Sequence, residues 1–258
     1  MDEFKITLSD RFTHLPHAPI IEAVIDFRAS ATEPWDLAAL AERLKQRLPE
    51  YPTIGVQQTW QTELRILPGQ SPLAEQRDFV QGLRLQSAEG RQIATFHPAG
   101  FSFSRLRPYE DWEHFRDEAF RLWRIHQDLA KPNKVERIGL RYINRFEMPP
   151  GELKFEEYID PHPMPPHGLS LPHAGFLHVD SLATPGYPYM INVVHTMQGS
   201  QQTGALGNAL ILDIDVFTLQ TMGFGDTNWL LHVLAEMRWL KNKVFFGSLT
   251  PKALETFK

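Results

Sequence analysis

The sequence predicts an α+β protein made of two pseudo-repeated units of curved antiparallel sheet, with long helices packed on one face. Three observations lead there. Apolar residues alternate at period two in run after short run, bounded by turns that carry Gly and Pro. Two long stretches, 109–130 and 228–246, instead repeat their apolar residues at helical spacing. The order of these segments is nearly the same in both halves of the chain.

In the first half, "PIIEAVIDFRA" (Pro19 to Ala29) reads as a strand. A helix follows in "EPWDLAALAERLKQRL", with Leu37, Leu40, Leu44 and Leu48 on one face, Pro34 at its start and Pro49 as its stop. Four strand-like runs come next: "VQQTWQTELRIL", "FVQGLRLQSAEG", "RQIATFHPAG" and "FSFSRLR", with "SAEGRQ" as a hairpin turn. The helix "YEDWEHFRDEAFRLWRIHQDLA" presents Trp112, Phe115, Ala119, Leu122, Trp123, His126 and Leu129 along one stripe. In the second half, "VERIGLRYINRFEMP" is a strand and "GELKFEEYI" a short helical turn. Three more strands, "AGFLHVDSLAT", "YMINVVHTMQ" and "ALILDIDVFTLQ", lead into the helix "NWLLHVLAEMRWLKNKVFF", with Gly247 expected as its C′ residue. Thr250 and Pro251 then open a final helix as N-cap and first helical residue. "KPNK" sets the boundary between units, giving 1–131 and 132–258, packed together as one domain. The Pro- and His-rich stretch Asp160 to Gly175 is a surface loop.

Composition narrows the function classes. With 258 residues, 42% of them apolar, the chain can bury a large core. A net charge of -5 argues against a surface built as a whole for nucleic acid, although a local basic groove stays open. The absence of cysteine removes disulfides, thiol catalysis and cysteine-held iron–sulfur clusters. No secretory pattern opens the sequence and no run of about 18 apolar residues offers a membrane span. The expectation is a cytoplasmic protein without a membrane partner.

The feature that asks for a functional account is "RIGLRYINRF". On a strand, Ile138, Leu140, Tyr142, Asn144, Phe146 and Met148 share one face, which belongs to the core. The other face carries Arg137, Arg141 and Arg145, about 13 Å between neighbours at the rise of an extended chain. Glu22 and Asp26 alternate in the same way on the first strand, and Asp213 and Asp215 on the last. If the first strands of the two units pair, Glu22 and Asp26 lie across from the arginines. The row is then either a cross-strand charge ladder or a floor on which Arg forks bind a carboxylate or phosphate. Arg105 and Arg107, interleaved with Phe101 and Phe103, raise a third possibility, a stacking platform for single-stranded nucleic acid.

Catalytic and metal motifs are missing. His162, His167 and His173 lie close together without an H-E-x-x-H or other two-ligand spacing, so no metal is expected. His178 and His195, with Asp213 and Asp215, form a possible His/Asp base without a recognisable nucleophile. "QGSQQTGALGNA" lacks the order of a P-loop, and no cofactor motif occurs.

"LPHAPIIEAVIDFRA", "VERIGLRYINRFEMP" and the ending "HVLAEMRWLKNKVFFGSLTPKALETF" resemble the signature stretches of an uncharacterised, sporadically distributed bacterial protein family of about this length. The resemblance singles out Pro19, Glu22, Arg137, Arg141, Tyr142 and Asn144, implies no activity or cofactor, and suggests accessory work of a defence or toxin–antitoxin kind. The sequence therefore leads to a non-enzymatic binding protein. Its candidate surface is Glu22, Asp26, Arg137, Arg141, Tyr142, Asn144 and Arg145, facing a protein partner or a small polar or anionic ligand. The alternative is an enzyme or binder that holds a phosphorylated or nucleotide ligand on the arginine row.

Overall fold

A computed structural model describes residues 4–65, 73–148, 154–160, 162–164, 167–168, 171, 173, 175–198, 208–223 and 226–258; within 58–65, 73–81 and 222–223 it describes the backbone alone. The strands are β1 (Ile20–Arg28), β2 (Thr53–Arg65), β3 (Leu73–Gln86), β4 (Gln92–His97), β5 (Gly100–Leu106), β6 (Lys134–Val135), β7 (Arg137–Glu147), β8 (Leu177–Ala183), β9 (Tyr189–Gln198), β10 (Ala209–Thr218) and β11 (Met222–Gly223). The helices are α1 (Leu37–Arg47), α2 (Trp112–Ala130), α3 (Thr227–Ser248) and α4 (Pro251–Glu255). Most of the loop expected at Asp160 to Gly175 is described, whereas the polar segment 199–207 lies outside the described residues.

Nine strands form one antiparallel sheet in the order β2-β3-β4-β5-β1-β7-β10-β9-β8, and β6 pairs with β11 apart from it. The α+β class with a large antiparallel sheet is as the alternation pattern implies. The strands belong to one sheet rather than two because β1 and β7 pair antiparallel, from Ile20 opposite Asn144 to Arg28 opposite Arg137. Both strands are covered on their other edges too, β1 by β5 and β7 by β10. They are therefore the interior of the sheet, with their backbone hydrogen bonds satisfied on both sides.

The period-two pattern decides which side of these strands is buried. Ala23, Ile25 and Phe27 of β1, Ile138, Leu140 and Tyr142 of β7, and Leu210, Leu212, Ile214 and Val216 of β10 are all buried. Phe27 and Phe101 pack on Trp123 of α2 at ring distances of 4.6 and 6.1 Å, and Phe103 stacks on Phe115 at 5.6 Å. Those partners recur along α2 at the spacing that keeps one stripe towards the sheet. Each fully buried Leu, Ile or Phe of this kind contributes about 1.5–3 kcal/mol. Along α3 the buried residues Leu230, Val233, Leu234, Met237 and Leu240 form the equivalent stripe.

Side-chain caps set the helix starts. Asp36, Asp111 and Asp226 accept from the backbone N–H of Ala39, His114 and Trp229 at 3.1, 2.8 and 2.9 Å. Pro34 thus stands two residues before the cap of α1 rather than at its first turn. Thr250 caps α4 with Pro251 at the first helical position, as the sequence indicates. Gly247 does not end α3: the helix runs to Ser248 and Leu249 turns extended. A tertiary contact supplies the stop, because the Asp160 N–H bonds the Ser248 carbonyl at 3.1 Å and Ile159 bridges Leu249.

His126 shows how dry this core is. Its ring is fully buried, stacked on Trp123 at 5.3 Å and flanked by Trp35, Phe96 and Phe101. Burial, with a smaller contribution from His97, pulls its pKa down to about 3. The unfolded chain protonates this imidazole near 6.5 and the native state only near 3, so stability falls as pH drops through that window. Replacing His126 with Phe should remove the effect. In urea titrations the variant's advantage over the wild type should grow by about 3 kcal/mol between pH 7 and pH 4, and a constant difference would show that His126 protonates freely in the folded protein.

Candidate functional site

The seven residues singled out by sequence occupy two sides of the sheet. Arg137, Arg141, Arg145, Glu22 and Asp26 share one face, whereas Tyr142 and Asn144 are buried on the other. The two groups do not form a common site.

On the first face, Arg137 turns back over Gly139, the position registered with Asp26 on β1 and Phe217 on β10. Its guanidinium bonds the Asp26 carboxylate, reaches Asp215 at 3.1 Å and lies 5.0 Å from the Phe217 ring centroid. One side chain therefore ties three adjacent strands. Gly139 makes the slot, since a methyl built there would overlap both the Asp26 carboxylate and the Arg137 guanidinium. Arg141 grips Asp213 with both prongs, Nε donating at 2.8 Å, while Arg145 pairs with Glu147 at 2.6 Å. The hydrogen bond and charge of Asp213 raise the Arg141 pKa, with smaller contributions from Asp215 and from Glu22, which lies opposite Ile143 on this face.

The electrostatics follow from two carboxylates sharing one guanidinium. Burial pushes the Asp215 carboxyl up from its ordinary value, more than Arg137 draws it down, and the negative charge of Asp26 adds to the rise. Each arginine of the row thus has an acid partner from the chain, and Arg145 keeps one buried nitrogen, Nη2, without a hydrogen-bond partner.

Two sequence readings are corrected by burial and parity. Phe101, Phe103 and Arg105 are buried, the rings against α2 and the guanidinium paired with Glu110, so they offer no stacking platform. His195 points to the core side, opposite Leu212, whereas Asp213 and Asp215 point to the other face. The acid beside these histidines is Asp180, 2.8 Å from His178 Nε2, with the His178 and His195 rings 6.2 Å apart. Among the described residues, no group of three or more His, Asp or Glu is placed to hold a metal.

The core side of β7 opens into a cleft of about 390 Å³. Its walls are Phe12 to Pro16 of the N-terminal segment, Tyr109 to Glu113 leading into α2, Tyr142 and Asn144, and the α3 residues Arg238, Lys241 and Asn242. The N-terminal segment is irregular yet pinned to α3: Asp10 accepts from Trp239 Nε1 at 3.1 Å and pairs with Lys243 at 3.0 Å, and Phe12 stacks on Phe246 at 5.6 Å. Asn144 uses its Nδ2 on the Leu212 carbonyl at 3.0 Å, which bolts the cleft wall to β10.

Inside the cleft, the hydroxyls of Tyr109 and Tyr142 are 3.0 Å apart, and burial pushes the Tyr109 pKa up to about 12 and that of Tyr142 well above its ordinary value. Lys241 Nζ lies 4.1 Å from the Tyr142 ring centroid. Lys241 has no carboxylate partner among the described residues, and burial, followed by the charge of Arg238, pulls its pKa down to about 7. Arg238 rests on Trp112 at 5.3 Å with Glu113 only at 3.9 Å.

Sequence reasoning passed over Lys241, Arg238 and Tyr109. A signal was present for the lysine: Val233, Met237, Lys241 and Phe245 recur every four residues, so a lysine interrupts an otherwise apolar stripe.

Gly139→Ala should cost about 1–2 kcal/mol, because the new methyl must push aside the Arg137 guanidinium and the Asp26 carboxylate, both the far ends of flexible side chains. Gly55→Ala, also in a strand but with the nearest neighbour 3.9 Å away, should stay within about 0.5 kcal/mol of wild type. Equal urea midpoints for the two variants would contradict the slot. No protein-family model matches this chain, and no curated protein matches it.

Proposed function

We propose that the protein binds a small anionic ligand in the cleft between the N-terminal segment, the start of α2 and α3, with Lys241 and Arg238 as its anchors. The observation that carries this reading is Lys241, an amine without a counter-ion on the wall of a ligand-sized cavity. Burying an amine without a counter-ion costs stability that the Tyr142 ring offsets only in part, and a bound anion would offset the rest. The arginine row favours the same conclusion by contrast, since Asp26, Asp213, Asp215 and Glu147 already occupy it. The sheet then acts as scaffold and the ligand site sits beneath it, on the side of Tyr142 and Asn144.

We also infer that the two halves are related units with their helices on one face. Each half starts with a central strand, β1 or β7, jumps to an outer edge, returns through an antiparallel meander to pair with that central strand, and finishes in a long helix. In this arrangement the cleft lies where the helices of the two units approach each other.

Lys241→Met tests the reading through two opposed effects. Removing an unpaired buried amine should stabilise the free protein at pH 7 by about 1–3 kcal/mol, with the gain shrinking as pH rises from about 7 towards 10.5, where the native and unfolded wild-type lysines are both neutral. In calorimetric titrations with phosphate and lactate, the wild type should bind at least one with 1:1 stoichiometry. Lys241→Met should weaken that binding at least about tenfold, while Arg141→Ala leaves it within about twofold. Binding that survives Lys241→Met and is lost in Arg141→Ala would return the site to the arginine row.

A further inference from the structure

The lysines of the described chain differ in what surrounds their amines. Lys134, Lys243, Lys252 and Lys258 each pair with a carboxylate. Lys241 has the Tyr142 ring below it, Arg238 one turn earlier on the same helix, and open cleft in front. An amine with a cationic neighbour and no acid is suited to attack a carbonyl, because only the Tyr142 ring face favours its ammonium form. Arg238 and Lys241 are three residues apart and so project side by side, about 5–6 Å between Cβ atoms. Their tips can reach a carboxylate and an adjacent carbonyl of one small molecule.

We propose that this cleft captures small 2-oxo acids reversibly as an imine, with Arg238 holding the carboxylate and Lys241 Nζ bonding the carbonyl carbon. The inference rests on the anion-binding reading of the same cleft and adds the chemical class of its ligand. The step balances without any further reagent. Neutral Lys241 adds its nitrogen to the carbonyl carbon, the carbonyl oxygen takes up both amine hydrogens in turn, and it departs as water, leaving C=N. Hydrolysis returns the amine and the oxo acid. The cleft also carries a paired Tyr109 and Tyr142 hydroxyl to donate a hydrogen bond towards the carbonyl or carbinolamine oxygen. The depressed pKa of Lys241 supports the geometry, since about half of the amine is unprotonated near neutral pH.

The test is reductive trapping of the full chain at pH 7 with cyanoborohydride and either pyruvate or glyoxylate, read by intact mass and peptide mapping. The expected result is one adduct, the mass of the oxo acid less one oxygen, on Lys241, formed at least about tenfold faster than on any exposed lysine. Lys241→Arg, which carries no nucleophilic amine, should yield no adduct at this position. Labelling spread over exposed lysines with Lys241 unmodified would overturn the proposal. Lactate lacks the carbonyl and separates the two claims. If lactate binds and neither oxo acid is trapped, the imine fails and the anion cleft stands; if nothing binds and nothing is trapped, both fail.

Discussion

The structure hinges on the slot above Gly139, where Arg137 of β7 meets Asp26 of β1 and Asp215 of β10. These strands form the middle of a nine-stranded sheet, and β1 with β7 is the seam between the two halves of the chain. An isolated exposed ion pair contributes little. Here the guanidinium is only 17% exposed and bonds across two strand pairs at once. Its main effect is on register: a slip by one residue would bring Asp26 against a side chain rather than Gly139 and turn the charged row into the core. The Asp213–Arg141 pair repeats the constraint further along the strand. Pairing of β1 with β7 in turn fixes where Tyr142 and Asn144 open into the cleft.

The two faces of β7 thus divide structure from ligand chemistry. On the charged face every arginine of the row is matched by acid from the chain itself. On the other, Tyr142 and Asn144 are enclosed by helices and by the pinned N-terminal segment, and Lys241, without a carboxylate partner among the described residues, comes from α3. The unpaired amine sits in the concave cleft and the paired charges sit on the sheet face. A ligand gains more from the first, because that charge is not already met by an acid of the chain.

The fold class was legible because period two and period 3.6 rarely coincide: Ile138, Leu140, Tyr142 and Phe146 of "RIGLRYINRF" fall on the core side, as do Leu210, Leu212, Ile214 and Val216 of "ALILDIDVF", while Ile143, Ile211 and Phe217 share the charged face. The pairing of Asp26 with the arginine row was also within reach, since both alternate in phase and both lie on first strands. What stayed hidden were facts of three-dimensional packing. Arg137 reaches along β7 over Gly139, so its acids are Asp26, two register positions on, and Asp215, four positions on, rather than the residues directly opposite. The end of α3 is set by Asp160 and Ile159, nearly 90 residues earlier, which no local glycine rule reports. The cleft draws on four separate segments, and a single lysine in an apolar stripe reads in sequence as an exposed residue at a helix edge.

The claim that the arginine row is neutralised by its own sheet is tested most directly by a double-mutant cycle between Arg137 and Asp26, using Arg137→Gln, Asp26→Asn and the pair, with stability from urea unfolding. A coupling of about 1–3 kcal/mol is expected, so that the double variant is less destabilised than the two single losses together. Additive effects, together with loss of ligand binding in Arg137→Gln at unchanged stability, would contradict it and make the row a site.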